Sequence, residues 1–362
     1  MFKKILTLLL AVFMLIQLVS CSKVPDPTPS VSDAYQTVVS DTSVEELAAQ
    51  ASSQHKKAGH YTFQPKVCSS LMEEVMGTEL KQAYFSFVDA VMDGRDTFDC
   101  PDQYTYDWMM GQFAYRCFPV LAEVIEPTYN GGNDVVDGKA GYRWKVSEED
   151  GRRKIDEFIA LTESILNETL EDDYTDLEKA LALYVWFEDH YEYDYDTYYM
   201  MSEKDPGYTS GYRLMTEGIG ICQEISTAYS FLLMQAGVDA TIIFDSKAEN
   251  LGDHQWSYVR INGITYHIDP TFVLQSNHYL GYFMMSDRQR FGGSSYSPED
   301  FVIASIYSYE HAHPVHPAED DFFEPVWDTY FVSFDHDNHK LYCQYFNMDS
   351  EPELIEFDYS GF

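Results

Sequence analysis

Basic residues are scarce: 23 Lys plus Arg stand against 60 Asp plus Glu, for a formal net charge of −37. A surface of that sign repels phosphate backbones and argues against nucleic acid as a partner; its first reading is solubility. Apolar runs are short. The longest, Ile5 to Leu18, is too brief and wrongly flanked for a membrane span. Solenoid-type repeats are absent. The six Cys follow no metal-site spacing. The acidic stretches "EDDYTD" and "DYDTYY" lack the Gly-bearing twelve-residue calcium loop. "HAHPVHPAEDD", 311–321, is rich in His, but Pro314 and Pro317 break it and it reads as a solvated loop. No metal and no other cofactor is expected.

What remains is ordinary for a globular protein, 45% apolar and 23% charged. The 29 Tyr and 23 Phe are expected in core and strands. The start, "MFKKILTLLLAVFMLIQLVSCS", has the charged n-region (Lys3, Lys4) and short h-region of an export signal. Leu18-Val19-Ser20-Cys21 resembles the lipobox of bacterial lipoproteins. That resemblance implies a signal peptide over 1–20, lipidation of Cys21, and an extracellular chain anchored to the bacterial cell membrane. Residues 21–58, with Pro25, Pro27 and Pro29, read as a flexible tether. Cys68, Cys100, Cys117 and Cys343 read as buried unpaired thiols. Were they paired, three connectivities would be open.

The mature chain divides into an N-terminal α/β accessory region (59–174), a core (175–290) and a β-rich region (291–362). Helical periodicity predicts a helix over Thr78–Gly94 with Leu80, Ala83, Tyr84, Phe87, Val88, Val91 and Met92 inward. A strand is predicted over Ala140–Val146. A second helix runs from Glu148 to Leu170 on Ile155, Phe158, Ile159, Thr162, Ile165 and Leu166. A third begins at Thr175, where Thr175 and Glu178 match a capping box. Its stripe is Leu177, Leu181, Tyr184, Val185 and Glu188, and it ends in an acidic, aromatic loop, "EYDYDTYY". Further strands are predicted over Ala240–Phe244, 329–334 and 340–346.

Two stretches carry chemistry. In "GIGICQEISTAYSFLLMQAG" a Gly-punctuated loop turns into a helix with Cys222 in its first turn. Unpaired N–H groups and the helix dipole there favour thiolate. In "HQWSYVRINGITYHIDPTF", Asn262-Gly263 signals a two-residue type I′ hairpin. Ile261 then pairs with Ile264, and counting outward sets Asp269 opposite Trp256. Because side chains alternate, His254 and Asp269 share a face as diagonal neighbours. A thiol with a His–Asp pair is a nucleophile, base and orienter set.

Together these stretches resemble the bacterial transglutaminase-like domain: Cys before an amphipathic helix, a Gly then a strand, His followed two later by Trp, and Asp-Pro-Thr closing the hairpin. The resemblance spans about 175–287 and is loose outside it. It implies an α+β, papain-like core in which a Cys-bearing helix packs on an antiparallel sheet, flanked by the N-terminal α/β and C-terminal β-rich extensions. It also implies a Cys222–His254–Asp269 triad. Trp256 and Gln223 are the candidate cleft residues, with Trp256 reading first as packing beside the triad. The implied activity is acyl transfer through a thioester on protein or peptide amides, by hydrolysis or by cross-linking to an amine, with cell-wall peptides among the substrates in reach. The alternative is an inactive scaffold serving as a surface binding module. One position departs from the pattern. Many members carry a small residue, often Gly, two after the Cys. Here it is Glu224, whose negative charge opposes thiolate formation.

Overall fold

The computed structural model describes residues 46, 59–128, 130–200, 210–245, 254–292, 301–303, 317–345 and 352–362. The expected signal segment, Cys21, the tether apart from Glu46, and the His-rich tract through His316 lie outside the described residues. Among the described residues no helix is long and apolar enough to cross a membrane.

The N-terminal region begins with α1 (Ser70–Met76) and α2 (Thr78–Asp93). Helix α2 buries Leu80, Ala83, Tyr84, Phe87, Val88 and Val91 as its periodicity requires, while Met92 lies outside the stripe and is 38% exposed. Gly94 ends it in the left-handed conformation, at φ 73. A small antiparallel sheet follows, with β1 (Thr97–Asp99) and β2 (Ile125–Pro127) on either side of β3 (Lys139–Trp144). Between β1 and β2 lie short helices α3 (Gln103–Trp108), α4 (Ala114–Cys117) and α5 (Leu121–Val124), with a π-turn over Met109–Phe113. The long α6 (Glu148–Thr169) is capped by Ser147, whose hydroxyl accepts from the Asp150 amide. It buries all of its expected stripe except Ile159, which is half-buried.

The central region is built on α7 (Asp176–His190) and α10 (Cys222–Gln235). Thr175 and Glu178 form both halves of the α7 capping box. Instead of an acidic loop after α7 there is a two-residue strand, β4 (Glu192–Tyr193), then α8 (Tyr195–Met200). Strand β4 exists because it pairs in parallel with β5 (Ile219–Gly220), which follows α9 (Gly211–Glu217). Helix α10 is buried on nearly every face, which is why its apolar residues run all the way round. Gly211 allows α9 to approach it: a Cβ there would lie 2.9 Å from the Ala228 backbone. Strands β6 (Asp239–Asp245), β7 (Gln255–Ile261) and β8 (Ile264–Ile268) form an antiparallel sheet in the order β8-β7-β6-β9, with β9 at Phe301–Ile303. The β7–β8 register runs from Ile261↔Ile264 to Ser257↔Ile268. Asn262 and Gly263 sit at φ 52 and φ 80, the positive pair that a type I′ turn demands.

Short helix α11 (Asp287–Phe291) follows the hairpin. A third antiparallel sheet follows: β10 (Tyr330–Asp335), β11 (Lys340–Tyr345) and β12 (Glu353–Asp358). It docks on α7 through Glu178, whose carboxylate, 1% exposed, accepts from Tyr359 Oη at 2.6 Å and meets His336 Nδ1 at 3.0 Å. Burial alone would push the His336 imidazole down, but Glu178, Asp173 and Asp337 outweigh it and hold it above its usual value. A raised imidazole stabilises the fold fully below its unfolded pKa, and that contribution fades as pH rises through the folded one. The urea midpoint is therefore expected to fall between pH 6 and pH 8, and His336→Gln to flatten that fall. An equal fall in the variant would place its origin elsewhere.

No disulfide joins the described cysteines. Contact with Cys68 and burial both push the Cys117 thiol well up, and burial raises Cys100 to about 11 and Cys343 to about 12. Cys100, Cys117 and Cys343 are buried, as expected, whereas Cys68 is only partly buried.

Candidate active site

Helix α10 places Cys222. Its C-terminus turns at Gly237 (φ 87) into β6, whose first residue, Asp239, pairs with Arg260 near the hairpin end of β7. The 14 residues of α10 span about 21 Å at 1.5 Å each, and the seven of β6 span about 23 Å at roughly 3.3 Å each. Helix and strand run back to back, so the Cys222 end of α10 returns to the far end of the sheet. There β7 begins after His254 and β8 ends before Asp269. Contacts along the helix hold this alignment: Ser230 Oγ donates to the Thr241 carbonyl at 2.9 Å and lies 2.9 Å from Ser257 Oγ, and Ser257 Oγ donates to the Ser226 carbonyl at 3.3 Å.

Asp269 ends β8 as the cap of a 3₁₀ turn over Pro270–Phe272; its Oδ1 accepts the Thr271 amide at 3.1 Å. Pro at the first position of that turn is pre-set for it. Oδ2 lies 2.7 Å from His254 Nε2. The carboxylate is fully buried. Burial pushes it up, but the His254 charge and hydrogen bond, Arg290 and Thr271 together hold it below the usual carboxylate range. An ionised carboxylate only accepts, so His254 Nε2 carries the proton of this bond and Nδ1 is the nitrogen turned away from Asp269. The ring packs against Phe272, at 4.8 Å, and Trp256, at 5.7 Å and 18°.

Trp256, an expected cleft candidate, is 1% exposed. It is a wall behind the imidazole, with no open face to serve as a platform. Its Nε1–H donates to His267 Nδ1 at 3.0 Å, and His267 Nε2 lies 2.8 Å from Asp287 Oδ1. Burial holds His267 below its usual value. A second His–Asp pair thus fixes the indole that backs the first. Gln223, the other cleft candidate, is 8% exposed, and its carbonyl accepts from Thr227 Oγ1 at 2.7 Å. Cys222 is itself buried, at 4%. Segments 201–209 and 246–253 of the surrounding chain lie outside the described residues.

Glu224 is answered by a residue that sequence reasoning missed. Arg213 of α9 grips it with Nε to Oε1 at 2.8 Å and Nη2 to Oε2 at 2.5 Å, while Nη1 reaches Asp194 Oδ2 at 2.7 Å. Glu224 Oε2 also accepts the Ile221 amide at 3.0 Å, the reach-back half of a capping box. The charge two residues from Cys222 is therefore matched by a guanidinium. Burial pushes the Glu224 carboxyl up against the pull of Arg213. The chain leading into Cys222 is α9 followed by β5.

Arg290 is the second missed residue. Its guanidinium carbon lies 4.1 Å over the Trp256 ring, and Nη2 is 3.6 Å from Asp269 Oδ2. No short-range signal in the sequence ties it to the hairpin. Among the described residues, no group of three or more His, Cys, Asp or Glu side chains is placed to hold a metal ion. A cavity of about 10 Å³ between α7 and the C-terminal sheet, lined by Leu177, Phe283 and Leu341 among others, holds no more than a water.

Residues 163–270, from α6 to just past Asp269, match the transglutaminase-like superfamily. Cys222, His254 and Asp269 fall within the matched stretch. Similar solved structures include one from Cytophaga hutchinsonii named as a "putative cysteine protease", 22% identical over 27% of this chain and 32% of that one, with a TM-score of 0.21. Another, named as a TGase, is 16% identical over 59% of this chain and 62% of that one, with a TM-score of 0.29. The chain thus spans less than two thirds of either relative. No curated protein matches it.

Proposed function

We propose that the protein is a cysteine-dependent acyl-transfer enzyme of the bacterial cell surface, anchored through Cys21 and acting on peptide or glutamine amides. The observation that carries this reading is the 2.7 Å His254–Asp269 bond, formed at the sheet end to which the Cys222 helix returns. His254 Nδ1 takes the Cys222 thiol proton. The thiolate attacks the amide carbonyl, and charge builds on oxygen as the C–S bond forms. The Cys222 amide, in the first turn of α10, is the donor that would receive it. The C–N bond then breaks as His254 returns the proton to the leaving amine, giving a thioester. Water releases a carboxylate, or a primary amine releases a new amide, and either regenerates the thiol. Asp269 keeps the imidazole in the required tautomer and stabilises its charged form. Hydrolysis is the favoured outcome, by resemblance to bacterial members.

The competing reading, a scaffold whose acidic loops bind a partner, draws on the low exposure of Cys222. The two part on Cys222→Ala. Incubated with a library of glutamine-containing peptides, the wild type is expected to release ammonia or shortened peptides and the variant none, both being folded. Equal release, or no release by either with partner binding kept, would favour the scaffold.

A further inference from the structure

We propose that Arg290 is a positioning residue for the His254–Asp269 pair, a fixed cation that shares the Asp269 carboxylate with the imidazole and thereby sets the pH at which His254 gives up its proton. The inference rests on the reading of His254 as the base, and it concerns how that base is tuned. Asp269 Oδ2 faces two cationic neighbours: His254 Nε2 at 2.7 Å and Arg290 Nη2 at 3.6 Å. The guanidinium is held by stacking on Trp256 at 4.1 Å, and that indole is itself fixed by its bond to His267. Trp256 lies against both rivals for the carboxylate, His254 and Arg290.

Among the described residues, the remaining groups near the pair are Tyr184 from α7, Tyr282 from the segment before α11, His267 from β8 and, by its place in the fold, Cys222 from α10. The tyrosines are held neutral by burial, and burial disfavours charge on His267. Arg290 is the permanent cation of this set. Burial weakens its hold on its proton, yet an arginine starts high enough to stay charged. Its Nε is buried with no partner among the described residues. An apolar side chain would cover Trp256 without that cost, so packing alone does not account for a guanidinium here. Its positive charge beside the dyad works against the imidazolium and keeps Asp269 from holding it too firmly.

The test is an NMR titration of the His254 ring in Cys222→Ala protein, which needs no turnover. Arg290→Met is expected to move the midpoint up by about 1 pH unit, while Arg290→Lys, which keeps the charge, stays near the parent value. Should the Met variant fail to fold, Arg290→Gln, uncharged but polar, carries the same expectation. Coincident midpoints in a folded uncharged variant would overturn the proposal. Alkylation of Cys222 in the otherwise wild-type protein separates this from the enzymatic reading. A shifted midpoint with an unreactive thiol keeps the Arg290 inference and removes the enzyme. A reactive, His254-dependent thiol with no shift does the reverse.

Discussion

Arg213→Met is expected to lower the free energy of unfolding by about 3–5 kcal/mol, the usual cost of breaking a buried ion pair by removing one partner. Arg213 answers two carboxylates at once, Glu224 at 1% side-chain exposure and Asp194 at 9%. Both would be left facing each other in a space that water barely reaches. The loss is large beside the roughly 5–15 kcal/mol that holds a typical domain together. Arg213→Lys should recover only part of it, because an ammonium cannot reproduce the two-pronged grip on Glu224. Arg213→Met combined with Glu224→Gln should recover more, since the more deeply buried of the two charges is gone and the amide oxygen can still accept from Ile221. Urea unfolding of the three variants measures this. A loss under about 1 kcal/mol for Arg213→Met would mean that the pair behaves as an exposed one. The effect reaches the site because Glu224 ties down the Ile221 amide, one residue before the thiol.

His254→Ala is expected to cut kcat/KM by about 10²–10⁴-fold, the range for loss of a positioned general acid–base group. Asp269 would then be a buried carboxylate whose main partner is gone, leaving Arg290 at 3.6 Å and the Thr271 amide. A pH profile of the residual activity should lose the limb that belongs to the imidazole. The same profile in Arg290→Met should keep that limb and displace it. Turnover unchanged in folded His254→Ala would remove the base from the mechanism.

The parts of this site that the sequence reveals are those fixed by local backbone chemistry. Asn262-Gly263 permits positive φ at two successive residues, so it sets the turn, and the turn sets the register that brings His254 to Asp269. Thr175 and Glu178 mark a helix start because capping is a three-residue affair. The same Glu178 also receives Tyr359 from 181 residues away, and nothing near it in the chain announces that. Arg213 and Arg290 are hidden for the same reason: each acts through a partner on another element. The period-two pattern of β8 already placed His267 on the face of Asp269, so the second His–Asp pair was within reach of the hairpin count. Its partner Asp287, on α11, was not. Strand β4 looks like loop in the sequence because two residues carry no periodicity; only pairing with β5 makes them a strand. Met92 sits at the margin of a helical stripe, where a periodic count cannot separate inside from outside.

The most direct measurement is the rate of Cys222 alkylation by iodoacetamide against pH, in the wild type and in His254→Ala. A thiol poised by an imidazole should react quickly well below the ordinary thiol range near pH 8.5, and the variant should lose that low-pH reactivity. A wild-type thiol that is slow at every pH, or one whose profile is the same without His254, would contradict the account.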